Sequence, residues 1–347
     1  MKLEDLALDP ELLWLVVFGP GFGESIVLAV PGGAGSGRPS WIAVDSLRQQ
    51  RDPEDVIPAF ELLRAHKAKL SAAVLSHPHA DHVGGFARLL DLREPGSPLG
   101  CLAKYVDAGS DWQLDDDAGA VLSRGAADVA LNRIDDVWRR EPESRWDLLA
   151  GERRSVEDAE LEILHPSRLP RARPRDLNKV SSPIQVSWKE CRILLGADLL
   201  QAGWRAIGRA YAATGLDEAG ALKAAHHGSA GAQHPLAIGE PPPTDRLCVV
   251  TPFNRGRPLP DYSEGEGVER LLRSHELVGV TALPAGSGDA PVSRAALTPR
   301  RGSFGELRLS HEPASRSPRE AWLAVAFDAD GAEVHRLRGD AAGWVVD

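Results

Sequence analysis

One stretch limits what this chain can fold into more than any other: Val74-Leu75-Ser76-His77-Pro78-His79-Ala80-Asp81-His82-Val83-Gly84-Gly85. The apolar run Ala72 to Leu75 reads as a strand, and the turn after it carries three histidines and one aspartate. Val83-Gly84-Gly85-Phe86 then opens a helix. Imidazole and carboxylate are ligands that borderline first-row cations such as zinc and manganese accept. A strand end followed by a tight turn can point all four inward, so the spacing marks a metal-binding cradle. The bland alternative is a His-rich surface loop without metal; the strand before and the Gly-Gly-helix after argue against it.

At 347 residues the chain is long enough for one large domain or two ordinary ones. Its formal net charge of -10 argues against a general grip on polyanions, so any nucleic-acid contact must be local. Cys101, Cys191 and Cys248 lie far apart in no paired spacing and read as small hydrophobes rather than a disulfide framework or zinc knuckle. Met1-Lys2-Leu3-Glu4-Asp5 places acids where a secretory signal carries basic residues, and Leu12 to Phe18 is too short to span a bilayer. The expectation is a cytoplasmic protein with no membrane association.

Along the chain, strands are expected at Leu12 to Phe18, Ser25 to Val30 and Trp41 to Val44, the last ending in Asp45, and a helix over Asp55 to Lys69. Asp45 sits where a turn acid would. Residues 107–160 read as a helical insertion, and Asp115-Asp116-Asp117 as a solvated run. Leu161 to Leu164 forms a strand ending on His165, followed by a basic, proline-broken loop with Arg168, Arg171, Arg173 and Arg175. A hairpin over Pro183 to Trp188 and Cys191 to Leu195 ends in Gly196-Ala197-Asp198, where a carboxylate at the end of an apolar strand is held rigidly enough to ligate. His226 and His227 close another strand. Neighbouring strand side chains face opposite ways, so one should ligate and the other act nearby. The organisation expected is a domain over 1–300 and a small β-rich appendage over 301–347.

The His-x-His-x-Asp-His spacing resembles the signature of the metallo-β-lactamase superfamily. Gly21-Phe22-Gly23-Glu24-Ser25, the His-His-Gly-Ser of 226–229 and Asn254 to Pro258 narrow the likeness to the soluble hydrolase domain of ComEC-type bacterial DNA-uptake proteins, over roughly residues 10 to 285. That family's membrane channel has no counterpart here, so transport does not carry over. The resemblance implies an α/β fold, a four-layer αββα sandwich, and two divalent metal ions, zinc or manganese. By position it implies that His77 and His79 hold the first metal, that Asp81 and His82 hold the second with His226 completing it, and that Asp198 bridges. Asp45 would orient a metal-binding histidine, His227 would hold substrate phosphate or shuttle a proton, and His165 or Asn178 would complete the first site. The chain departs from the family in two places: Gly196-Ala197-Asp198 stands for the usual Thr-Gly-Asp, and Asn254-Arg255-Gly256-Arg257-Pro258 for a longer motif containing histidine.

These features imply a metal-dependent hydrolase, with a phosphodiesterase or nuclease acting on DNA as the leading expectation. Asp81 or Asp198 would orient the attacking hydroxide, and Ser229, Asn254, Arg257, Arg173 and Arg175 would bind substrate. Arginine suits bidentate recognition of phosphate. Two alternatives stand beside it: hydrolysis of a small ester, thioester or cyclic nucleotide, and a partner-controlled effector nuclease of a toxin or defence system that docks through the C-terminal strands.

Overall fold

Strand β1 (Leu13–Phe18, Leu-Trp-Leu-Val-Val-Phe) is buried at every position, which a strand can be only if both faces of its sheet are covered. Its odd-numbered residues join one apolar layer and its even-numbered residues another. A computed structural model of the chain, describing residues 3–32, 37–49, 55–108, 120–169, 176–210, 216, 219–238, 246–253, 259–260, 266–282, 292–293 and 319–346, shows what covers them.

After β1 come β2 (Ser25–Val30), β3 (Ser40–Val44), α1 (Pro58–Ala65), β4 (Leu70–Val74), α2 (Ala80–Val83), α3 (Phe86–Leu89), β5 (Leu99–Cys101), α4 (Ala103–Ala108), α5 (Ala120–Arg140) and β6 (Arg145–Asp147). The second half supplies β7 (Arg153–Val156), β8 (Ala159–Ile163), β9 (Ile184–Trp188), β10 (Cys191–Leu195), α6 (Gln201–Ala210), β11 (Ala221–Lys223), α7 (Pro235–Ile238), β12 (Leu247–Val250), α8 (Val268–Ser274), β13 (Leu277–Val280) and β14 (Val292–Ser293). The chain ends with β15 (Trp322–Phe327), β16 (Glu333–Arg338) and β17 (Gly343–Val346). Among the described residues these strands form one sheet in the order β16-β15-β1-β2-β3-β4-β5-β6 and a second in the order β14-β17-β13-β12-β11-β10-β9-β8-β7.

Three apolar layers hold four layers of structure together. Leu15, Val17, Ile26, Leu28 and Val44 of the first sheet meet Leu161, Ile184, Val186, Ile193 and Val249 of the second. The outer face of the first sheet packs Val16, Phe18 and Val27 against Leu62 and Leu63 of α1 and Ile134 and Trp138 of α5. The outer face of the second packs Leu194, Leu222 and Val250 against Trp204 of α6 and Leu271 of α8. The result is the expected αββα sandwich, with the catalytic chemistry left to the strand ends.

The structure rearranges two expectations about organisation. Within the expected insertion, α5 is helical, but Arg145–Asp147 and Arg153–Val156 are strands of the two sheets, because Trp146 and Val156 bury between them. The acidic run 115–117 lies outside the described residues. Nor are the C-terminal strands set apart: β15 pairs with β1 from Leu13↔Phe327 to Phe18↔Trp322, and β17 pairs with β13, so each sheet is built from both ends of the chain. No helix among the described residues is long and apolar enough to cross a membrane.

Candidate metal centre

The centre is assembled at strand ends. β3 and β4 run parallel, as do β10, β11, β12 and β13, so the loops leaving their C-terminal ends share one edge of the molecule. Asp45 follows β3, His77 to His82 follow β4, Asp198 follows β10, His226 and His227 follow β11, and Thr251 follows β12. β2 is antiparallel to β3, which brings Glu24, just before β2, to the same edge. Gly23 lets that loop pass under the cradle, where a Cβ would stand 2.7 Å from the Asp81 carbonyl oxygen, and Glu24 N donates to the same oxygen at 2.9 Å.

Hydrogen bonds fix which nitrogens face inward. Asp45, 1% exposed, accepts from Ser76 N at 2.7 Å, from Ser76 Oγ at 2.6 Å and from His82 Nδ1 at 2.8 Å. With its proton given to Asp45, the Ser76 hydroxyl accepts from His77 Nδ1 at 3.0 Å. On the other side, His227 Nδ1 donates to the Thr251 carbonyl at 2.9 Å. These contacts leave the Nε2 lone pairs of His77, His82 and His227 pointing into the centre.

There they meet carboxylates. His82 Nε2 stands 3.3 Å from Asp198 Oδ1 and 3.5 Å from Asp81 Oδ2, and His227 Nε2 stands 3.0 Å from Asp81 Oδ2 and 3.8 Å from Asp198 Oδ2. His77 Nε2 lies 3.1 Å from His79 Nδ1 and 3.8 Å from Asp198 Oδ2. The ligand atoms of Asp81, His82, Asp198 and His227 all lie within 4.8 Å of one another, as do those of His77, His79 and Asp198, so Asp198 belongs to both groups.

The electrostatics suit cations. Burial opposes ionisation of Asp198, yet the imidazoles of His82, His227 and His226 hold its carboxyl well below the usual range. Burial likewise works against protonation of His82, but Asp198, Asp81, Asp45 and Glu24 drive its pKa well up. Burial, with His82 and His79 beside it, keeps His77 neutral. Buried and without a hydrogen bond are His82 Nε2 and Asp198 Oδ1, the atoms a metal ion would take. Lys223 is paired with Glu24 at 2.7 Å, and among the described residues no lysine or arginine is seen against Asp45, Asp81 or Asp198, whose negative charge is left for protons or metal to balance. The donor set of imidazole nitrogen and carboxylate oxygen therefore fits divalent metal.

The family model of the metallo-beta-lactamase superfamily matches residues 40–238, more than half of the 347. The chain belongs to the metallo-beta-lactamase superfamily. Metal-dependent hydrolysis is the activity characteristic of that superfamily, and the matched span carries the cradle, Asp198 and both adjacent histidines. Similar solved structures include a mutant of a HARLDQ-motif metallo-beta-lactamase from Cronobacter sakazakii, at 16% identity over 55% of this chain and 63% of that one, with a TM-score of 0.34. A protein of unknown function from Enterococcus faecalis is 18% identical over 61% of this chain and 49% of its own, at 0.33. A metallo-beta-lactamase from Staphylococcus aureus is 12% identical over 57% and 49%, at 0.31. This chain thus spans 49% to 63% of those proteins' lengths, and membership rests on the family match rather than on these likenesses. No curated protein matches the chain.

Within this superfamily site, the structure brings His77, His79, Asp81, His82 and Asp198 together and places Asp45 behind His82. It reverses the two adjacent histidines. His227, 1% exposed, joins Asp81, His82 and Asp198, while the His226 side chain is 24% exposed, with Nε2 3.9 Å from Asp198 Oδ2 and 3.3 Å from Asn178 Nδ2. The alternation rule holds for a strand, but β11 ends at Lys223, and His226 and His227 lie beyond it with φ of 45° and 54°. His165 enters none of these His and Asp groups among the described residues, its Nδ1 lying 3.2 Å from the Ser181 carbonyl, and Asn178 Nδ2 lies 3.3 Å from His226 Nε2. Ser229, expected at the substrate, accepts from Gly231 N at 3.3 Å and caps a short turn. Arg173, Arg175, Asn254 and Arg257 lie outside the described residues.

Sequence reasoning gave no role to Glu24, Lys223, Thr251, Ser76 or Ser181. Ser181 Oγ accepts from Asp198 N at 3.0 Å and so fixes the shared carboxylate. A serine or a lone acid near a turn has no local signature of such a role; only the tertiary fold gives it one.

Proposed function

We propose that the protein is a metal-dependent phosphodiesterase that cleaves DNA. The observation that carries the hydrolytic part of this reading is the buried convergence of His82 Nε2, His227 Nε2, Asp81 and Asp198 into one cation-ready group that shares Asp198 with His77 and His79. Divalent metal ions held by these residues would supply Lewis-acid charge and lower the pKa of a water to about 7.

The chain's own residues would do the rest. Asp198 and Asp81, both ionised, would orient the attacking water. Asp45 and the Thr251 carbonyl hold the imidazoles of His82 and His227 in one tautomer, so no reorganisation is needed during reaction. His226, half-buried at the open side beside Asn178, takes over the part the sequence suggested for its neighbour: contact with a substrate oxygen and proton transfer to the leaving group. The choice of phosphodiester over ester or lactam is supported by the likeness of the cradle and His-His-Gly-Ser to the ComEC-type hydrolase domain. It is supported too by the arginines at 168–175 and 255–257, which would place positive charge locally on an acidic chain.

The test is to incubate the purified protein, stripped of metal and reloaded with zinc or manganese, with labelled single- and double-stranded DNA and with a small chromogenic ester. Metal-dependent DNA cleavage that disappears in a folded Asp198→Ala variant is expected. Turnover of the ester with no cleavage of DNA under either metal would overturn the assignment.

A further inference from the structure

Glu24 and Lys223 form an ion pair that touches neither solvent nor the open side of the centre. Both side chains are 0% exposed, Lys223 Nζ lies 2.7 Å from Glu24 Oε2, and the lysine also donates to the Ala224 carbonyl at 2.8 Å. Thr251 Oγ1 donates to the same Glu24 oxygen at 2.5 Å. From that anchored position Glu24 reaches three of the four groups of one ligand cluster. Its Oε2 is 3.4 Å from His227 Nδ1, its Oε1 is 3.8 Å from His82 Nδ1, and its main-chain N donates to Asp81 O at 2.9 Å.

A buried ion pair is weak evidence for stability, because apolar residues of similar volume often serve a core as well or better. This one sits where an apolar pair could not serve, against the outward nitrogens of two imidazoles whose inward nitrogens face Asp81 and Asp198. The Nδ1 protons go to Asp45 and the Thr251 carbonyl, and the Glu24 charge 3.4–3.8 Å from the same nitrogens favours that orientation electrostatically, keeping Nε2 of both rings as the inward donor. We propose that Glu24, braced by Lys223 and Thr251, is a positioning residue for the Asp81–His82–Asp198–His227 metal site, and that the ion pair is kept for metal affinity rather than for fold stability. The proposal rests on the metal-dependent reading of that site.

The experiment compares wild type with Glu24→Gln/Lys223→Met and Glu24→Leu/Lys223→Met, each stripped with chelator and titrated with cobalt(II). Binding is followed by the visible spectrum and by calorimetry, with thermal unfolding of the metal-free proteins in parallel. Both double variants are expected to unfold within a few degrees of wild type yet bind cobalt about 10- to 100-fold more weakly in one site, with an altered spectrum. The Leu variant, which lacks any acceptor oxygen, should lose the more. Cobalt affinity and spectrum matching wild type in both would overturn the proposal. If the double variants do not fold, Thr251→Val removes the hydroxyl that holds Glu24; unchanged cobalt binding there overturns it equally. Wild type that binds no cobalt refutes the metal reading itself, a result distinguishable from either outcome.

Discussion

At Ala197 the chain carries a side chain where the backbone asks for none. Its φ of 44° is left-handed, a region that costs an L-residue roughly 1–2 kcal/mol, and the Thr-Gly-Asp of the ComEC-type proteins that the sequence resembles would put glycine at this position. The preceding Gly196 answers a different need, since a Cβ there would stand 2.8 Å from the main-chain N of Ala225. The displaced glycine is thus a local repacking of β10 against the loop after β11, and Asp198 N still reaches Ser181 Oγ. Ala197→Gly is expected to leave stability unchanged or raise it by up to about 1 kcal/mol. Gly196→Thr should cost more than about 2 kcal/mol by forcing the two loops apart. Urea unfolding of both variants checks this, and a Gly196→Thr protein as stable as wild type would contradict the packing described. At this scale the cradle was legible because His77, His79, Asp81 and His82 all fall in one short stretch of chain. Glu24 and Lys223 were not, because their meaning arises from a contact between distant segments.

Among the elements, strands were the easiest to place. β2 and the β9–β10 hairpin across Lys189 and Glu190 fall where apolar runs and turn residues put them. α1 is shorter than its apolar stripe suggested, starting at Pro58 and ending at Ala65, because proline starts a helix readily and Lys67 turns left-handed just after it, with φ of 52°. α8 carries a pH-sensitive joint at its C-terminal end. His275, 5% exposed, donates from Nδ1 to the Leu271 carbonyl at 2.9 Å; burial, with Arg246 nearby, holds its pKa down to about 4. The unfolded chain takes up that proton near pH 6.5 while the folded chain refuses it until about pH 4, so stability falls as pH drops through this window. Between pH 7 and 5 the site should cost wild type about 2 kcal/mol, a loss absent from His275→Leu. Unfolding free energies measured at the two pH values decide it; equal losses in both proteins would refute the assignment.

For the whole molecule, the four-layer arrangement came from the family resemblance that the cradle carries, while the apolar runs themselves gave individual strands. What could not be read was closure. β15 is apolar throughout, so it looks like any buried strand, and nothing local says that its partner is β1 at the other end of the chain. That pairing places β15 in the same sheet as the strands that lead to Asp45 and the histidine cradle. At the edge that carries this cradle, metal is expected at Asp198. Anomalous diffraction from crystals of zinc- or manganese-loaded protein, recorded at the edge of the metal used, tests it most directly. The expected result is a peak bonded to His82 Nε2, His227 Nε2, Asp81 and Asp198, with a neighbour on the His77 and His79 side sharing Asp198. Fully loaded crystals with no anomalous peak at Asp198 would contradict the account.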